Sequence, residues 1–169
     1  MSSLLILGCG GATLAPAPQN DAPVSYQPCT LEAGTLEVPV GEHFALAASE
    51  GACLLIDESR EGTFVSVVGL MNDEEGFELL RDDLRGFLRA SGIVGTPRFT
   101  GRDEATLLAQ TTETHSLVTT PPGLPERAGF ALTAELPGAL VLFIGLGDSP
   151  SEAAKLRRVL DTVRLRAPE

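Results

Sequence analysis

A chain of 169 residues that is 43% hydrophobic is long enough for one domain with its own core, and it holds no run of roughly 18 consecutive apolar residues such as a membrane helix needs. Its 23 acidic and 12 basic residues give a formal net charge of −11, with no Lys or Arg before Arg60. That balance repels phosphate backbones and anionic lipid head groups, which excludes nucleic acid as a partner and leaves a covalent or hydrophobic anchor as the route to a membrane.

The chain opens with an apolar run, Leu4 to Leu7, closed by Gly8 and followed by Cys9. Ile6-Leu7-Gly8-Cys9 resembles the lipobox of bacterial lipoproteins, whose cysteine receives diacylglycerol. The resemblance implies a signal-peptide remnant at residues 1–8, a lipid on Cys9 and a cell-envelope location. Gly10 stands where Asp marks inner-membrane retention in some bacteria, which favours the outer membrane, facing the periplasm. The apolar run is shorter than the roughly seven residues of such a signal and no basic residue precedes it, so the true start is expected upstream. The alternative is a buried N-terminal strand with a free thiol.

Gly10 through Gln27 is a run rich in Gly, Ala, Pro, Gln and Asn without apolar periodicity, which predicts a flexible tether over residues 9–28 ahead of a single α+β domain at 29–169. About 18 such residues span on the order of 25 Å as a coil. With Cys9 taken by lipid, Cys29 and Cys53 remain as candidates for a disulfide, which an oxidising compartment would let form. Two buried free thiols are the alternative.

Strand-like runs follow at Thr35 to Val40, Phe44 to Ala48, Ala52 to Asp57 and Thr63 to Leu70, separated by Gly41, Glu50-Gly51 and Glu61-Gly62, and read as an antiparallel meander. Pro39 has no N–H for a ladder, so the first is expected at an edge. Phe77, Leu80, Leu84, Phe87 and Leu88 then form one helical stripe, with Asn72 or Asp73 as its cap and Gly92 as its end. Arg98 to Leu108 and Glu113 to Thr120 are Thr-rich strand candidates, and Pro121-Pro122-Gly123 breaks the chain. Phe130 to Leu136 alternates as a half-buried strand. Beyond the Pro137-Gly138 turn, the unbroken run Ala139 to Ile144 reads as the central strand, covered on both faces. A last helix opens at Ser149-Pro150-Ser151-Glu152, a capping box, and carries Ala153, Leu156, Leu160 and Val163 on one face.

This order, with Val38-Pro39-Val40-Gly41 as an opening strand and Pro-x-Gly turn and Phe44 as the aromatic after it, resembles the Mog1/PsbP-like α/β/α sandwich. The resemblance implies an antiparallel sheet covered by two amphipathic helices, and a binding or accessory role without a shared catalytic centre.

The chemical inventory is sparse. His43 and His115 stand apart, no His or Cys occurs at zinc-site spacing, and no Gly-x-Ser-x-Gly elbow is present. Gly145-Leu146-Gly147-Asp148-Ser149 leads from strand to helix and could cradle an anion, but Asp148 would repel one. The acids Asp73, Glu74, Glu75, Glu78, Asp82 and Asp83 lack calcium-loop spacing and read as a solvated helix face paired with Arg81 and Arg85. No catalytic residue, cofactor or metal is expected. The leading expectation is a noncatalytic envelope lipoprotein, held to the membrane by Cys9, that binds a protein or envelope component. Two others stand beside it. One is a small-ligand carrier or enzyme with a pocket near His115, built from a polar loop of Thr111, Thr112 and Glu113. The other is an acidic module that meets a basic partner in a secretion or surface complex.

Overall fold

The computed structural model describes residues 25–49 and 51–166, so Cys9 and the apolar run before it lie outside the described residues. Among the described residues, ten strands form two antiparallel sheets. The larger holds β3 (Phe44–Ser49), β4 (Ala52–Asp57), β5 (Phe64–Met71), β6 (Arg98–Leu107), β7 (Gln110–Thr119), β8 (Arg127–Leu136) and β9 (Ala139–Gly147), in the order β3-β4-β5-β9-β8-β7-β6. The smaller is β1 (Ser25–Leu31), β2 (Gly34–Val40) and β10 (Arg164–Leu165), with β2 in the middle.

The path follows from the connections. One meander, β3-β4-β5, ends at Met71, and helices α1 (Phe77–Asp82) and α2 (Leu84–Ser91) carry the chain across the sheet to the far edge. A second meander, β6-β7-β8-β9, returns until β9 pairs with β5 from Phe64↔Leu146 to Met71↔Ala139. Helix α3 (Pro150–Val159) and a 3-10 turn (Leu160–Thr162) then cross the opposite face. As its continuous apolar run predicts, β9 is buried at all nine positions.

Alternation along β9 divides the core. Val141 and Phe143 point to one face, packed with Leu36 and Val38 of β2 and Leu156 and Leu160 of the C-terminal segment. Leu140, Leu142 and Ile144 point to the other, packed with Leu80 of α1 and Leu88 of α2. One face is thus covered jointly by the small sheet and α3, the other by α1 and α2. With 53% strand and 19% helix among the described residues, the fold is sheet-rich, and two covering helices do not describe it: a third layer is itself a sheet.

Other local expectations change as well. The strand β2 is not part of the meander but the centre of the small sheet; Pro39 pairs with Tyr26 on one side and lies past β10, which reaches only Leu36 and Glu37 on the other. Strand β1 begins at Ser25, inside the segment 9–28 read as tether, because β2 gives Ser25 to Pro28 a pairing partner that local composition does not reveal. The single helix expected over 77–88 is two. Asp83 leaves helical geometry (φ −146°, ψ 80°), and its carboxylate accepts from Gly86 N at 2.9 Å, so it caps α2. The short polar side chain competes with the helix it interrupts. Helix α1 starts at Gly76 in the left-handed region (φ 92°) rather than at Asn72 or Asp73, and Gly92 closes α2 (φ 65°). Finally, Ser149 does cap α3, accepting from Glu152 N, but the Glu152 carboxylate turns to Lys155 (2.6 Å) and Arg60 (3.2 Å) instead of completing a capping box. The helix stops at Val159, and Val163 is extended though still buried.

Candidate binding cleft

Cleft formation begins with small side chains at facing positions. On the first turns of α3, Ala153 and Ala154 occupy the side facing β6–β8, opposite Ala105, Ser116 and Ala128, so helix and sheet do not close on each other there. The result is a cleft of about 350 Å³. Phe130 forms part of its floor: its ring lies over Gly145 of β9, where a Cβ would stand 2.3 Å from the ring. A bulge between Phe99 and Gly101 lets β6 bend, and Thr100 lines the cleft mouth.

The rim is polar. Arg157, half-buried on α3, donates from Nη1 to Asp161 at 2.6 Å and reaches Thr114 Oγ1 at 3.5 Å. Asp103 and Glu104 line the β6 side. An apolar floor with a few convergent polar groups is the ordinary make-up of a small-ligand or side-chain site.

The pocket expected at His115 is not built from His115. Thr111, Thr112, Glu113 and His115 lie in regular strand β7 rather than a loop, and alternation sends the cleft residues Thr114 and Ser116 one way and His115 the other. His115 is buried on the α2 side. Its Nδ1 accepts from Arg85 Nε at 3.0 Å, and its Nε2 lies 2.7 Å from Glu113 Oε1, which fixes the neutral, Nε2-protonated form. Burial lowers its pKa from the ordinary value, opposed by Glu113 and aided by Arg85. The guanidiniums of Arg85 and Arg89 stand 5.1 and 5.3 Å from the Phe99 ring centre. Arg85 therefore serves His115 and Phe99 rather than the acidic helix face. Among the described residues, Arg81 is the one that pairs there, with Glu78 and Asp82. Among the described residues, no three His, Cys, Asp or Glu side chains converge as a metal site requires. In the Gly145 to Ser149 segment, Asp148 forms an ion pair with Arg60 at 3.6 Å.

Cys29 of β1 and Cys53 of β4 are disulfide-bonded, with Cα atoms 5.9 Å apart, and the bond ties the small sheet to the large one. Cys53 sits one strand from the edge, on the face turned to β1.

No family model and no curated protein sequence matches the chain. Its architecture is similar to the solution structure of cyanobacterial PsbP (CyanoP) from Synechocystis sp. PCC 6803, with a TM-score of 0.56, 15% identity, and coverage of 95% of this chain and 99% of that one. The fold is PsbP-like. A second solved structure, LpqN of Mycobacterium tuberculosis, involved in cell envelope biogenesis, aligns with a TM-score of 0.47 and 14% identity over 88% of each chain. Within the PsbP-like fold of this protein, the cleft residues on α3 carry no sequence signature of their own. The one local sign is the pair Ala153-Ala154 at the start of a helix whose later core positions, Leu156 and Leu160, are large.

Proposed function

We propose that this protein is a noncatalytic accessory factor of the cell envelope, anchored by lipid on Cys9 in the outer membrane and facing the periplasm, which holds an apolar group of a protein or envelope component in the α3 cleft. The observation that carries the binding reading is the cleft itself: a preformed hollow of about 350 Å³ with a Phe130 floor and an Arg157–Asp161 rim. The envelope reading is supported by the Cys29–Cys53 bond, since disulfides form and persist in oxidising compartments, and by the lipobox at Ile6-Leu7-Gly8-Cys9.

Two variants test it separately. Ala154→Trp places an indole in the cleft from an exposed helix position, leaving the core intact. Envelope fractions crosslinked to the full-length protein should yield a specific adduct with wild type that Ala154→Trp loses, at unchanged thermal stability; an adduct that survives the variant removes the cleft from the reading. Radiolabelled palmitate should enter the wild type and not Cys9→Ser. An unlabelled wild type, found in the soluble fraction like the variant, ends the anchor claim.

A further inference from the structure

Asp103 stands opposite Thr114 in the β6–β7 ladder, so both side chains leave the sheet on the face of the α3 cleft, which both residues line. Of the charged groups there, Arg157 is already neutralised: its Nη1 donates to Asp161 at 2.6 Å, and its Nε is turned to Thr114 Oγ1. Asp103 has no such counterpart, since none of the ion pairs among the described residues includes it. The cleft therefore joins an apolar floor of Phe130 and alanines to one uncompensated carboxylate at its rim. That combination complements a group with an apolar stem and a cationic head, as Lys and Arg side chains have, and disfavours a carboxylate or a phosphate. The net charge of −11 draws cations to the molecule as a whole, but the floor and the lone carboxylate coincide in the cleft.

The position of the cleft in the sheet separates a free amine from a basic side chain on a polypeptide. Its lining runs from β8 through β7 to β6, the last strand of the large sheet. Strand β6 pairs with β7 without a break from Gly101↔Ser116 to Leu107↔Gln110, and that stretch contains no Pro. Among the described residues, no strand lies on its outer side and no backbone bond outside the ladder uses it. The outward N–H and C=O groups of such an edge are a template for an extended chain. In an added antiparallel strand, a residue opposite Asp103 or Ala105 leaves the sheet on the cleft side, because directly paired residues share a face. One bound segment can thus use the edge for its backbone and the cleft for a side chain.

Resting on the reading of the α3 cleft as a binding site, we propose that its occupant is an extended basic segment of a protein partner, added as a strand to β6, with the stem of a Lys or Arg in the cleft and its cation on Asp103. The test titrates the ¹⁵N-labelled full chain with short capped peptides of alternating Ser and Thr that carry Lys, norleucine or glutamate at the centre. The Lys peptide should saturate with shifts at Ala153, Ala154 and β6, bind about fivefold more tightly than the norleucine peptide, and slow exchange of the outward β6 amides several-fold. Asp103→Asn should erase the advantage of Lys over norleucine. Glu42→Gln, which makes the same change in net charge at an exposed turn that does not line the cleft, should keep it. Equal binding of the Lys and norleucine peptides, lost in Ala154→Trp, would leave the cleft a site for apolar groups and overturn the cationic occupant alone. A Lys advantage that survives Asp103→Asn, or falls equally in Glu42→Gln, is general attraction to an acidic surface and overturns it as well. Shifts on α3 without protection of β6 overturn strand addition. A wild type that gives no saturable response to the Lys peptide overturns the inference, while loss of the envelope adduct in Ala154→Trp still decides the cleft reading on its own.

Discussion

At Gly129, in the middle of β8, a Cβ would stand 2.4 Å from the carbonyl oxygen of Gly145 and 2.5 Å from Leu146 Cδ2. Backbone cannot retreat as a side chain can, so Gly129→Ala must push β8 from β9 where the sheet is buried on both faces. A loss of about 3 kcal/mol is expected, read as a lowered midpoint in denaturant with an unchanged slope; a change within error would mean that the strands tolerate the methyl. His115 makes a pH prediction at the same scale. Its folded pKa lies below the ordinary 6.5 because burial disfavours the imidazolium, with Glu113 opposing. Its contribution to stability is therefore complete above 6.5 and declines as pH falls through the folded pKa, since the unfolded chain takes the proton first. The stability of wild type relative to His115→Gln should fall between about pH 8 and about pH 5. A difference that stays flat or rises would show that Glu113 outweighs burial.

Asp83 decides whether the connection between the meanders is one helix or two. Asp83→Ala removes the acceptor for Gly86 N and should cost about 1 kcal/mol of stability; urea unfolding of the pair measures it, and an increase in stability would mean that the break is imposed only by the surrounding packing. The break is hard to read from the chain because Phe77, Leu80, Leu84, Phe87 and Leu88 keep a helical phase across it, and all five serve the same core. Signals that act within a few residues were legible: Gly92 ends α2, Ser149 caps α3, and the apolar run of β9 predicts burial on both faces. Signals that depend on a distant partner were not. In β1, Pro28 and a polar neighbourhood conceal the alternation of Cys29 and Leu31, and Tyr26 lies under the guanidinium of Arg164, 4.7 Å from its ring centre, a residue more than a hundred positions away. The two residues of β10 are too few to carry a period. The cleft is of the same kind, since its hollow depends on alanines from α3 facing small residues of three strands, and only the folded chain brings them together.

For the whole molecule, the decisive connection is the one between its two sheets. The small sheet packs Leu31, Leu36 and Val38 against the large one, with Leu31 reaching Gly69 of β5, and the Cys29–Cys53 bond crosses the same interface. Cys29 is 24 residues from Cys53, and closing a loop of that length in the unfolded chain corresponds to about 3 to 4 kcal/mol in the chain-entropy model. The strands β5, β9 and β8 are held by continuous ladders in the middle of the large sheet, whereas β1 is an edge strand whose ladder runs only to β2. Reduction should therefore act unevenly. Hydrogen exchange of the Cys29→Ala/Cys53→Ala variant should show the amides of β1 opening at a free energy several kcal/mol lower than in wild type, while the amides of β5 and β9 follow the smaller global change. That pattern would make the small sheet a separately yielding layer, stable in an oxidising compartment and loosened in a reducing one. Equal acceleration across both sheets would instead show one cooperative unit, in which apolar packing alone couples the layers.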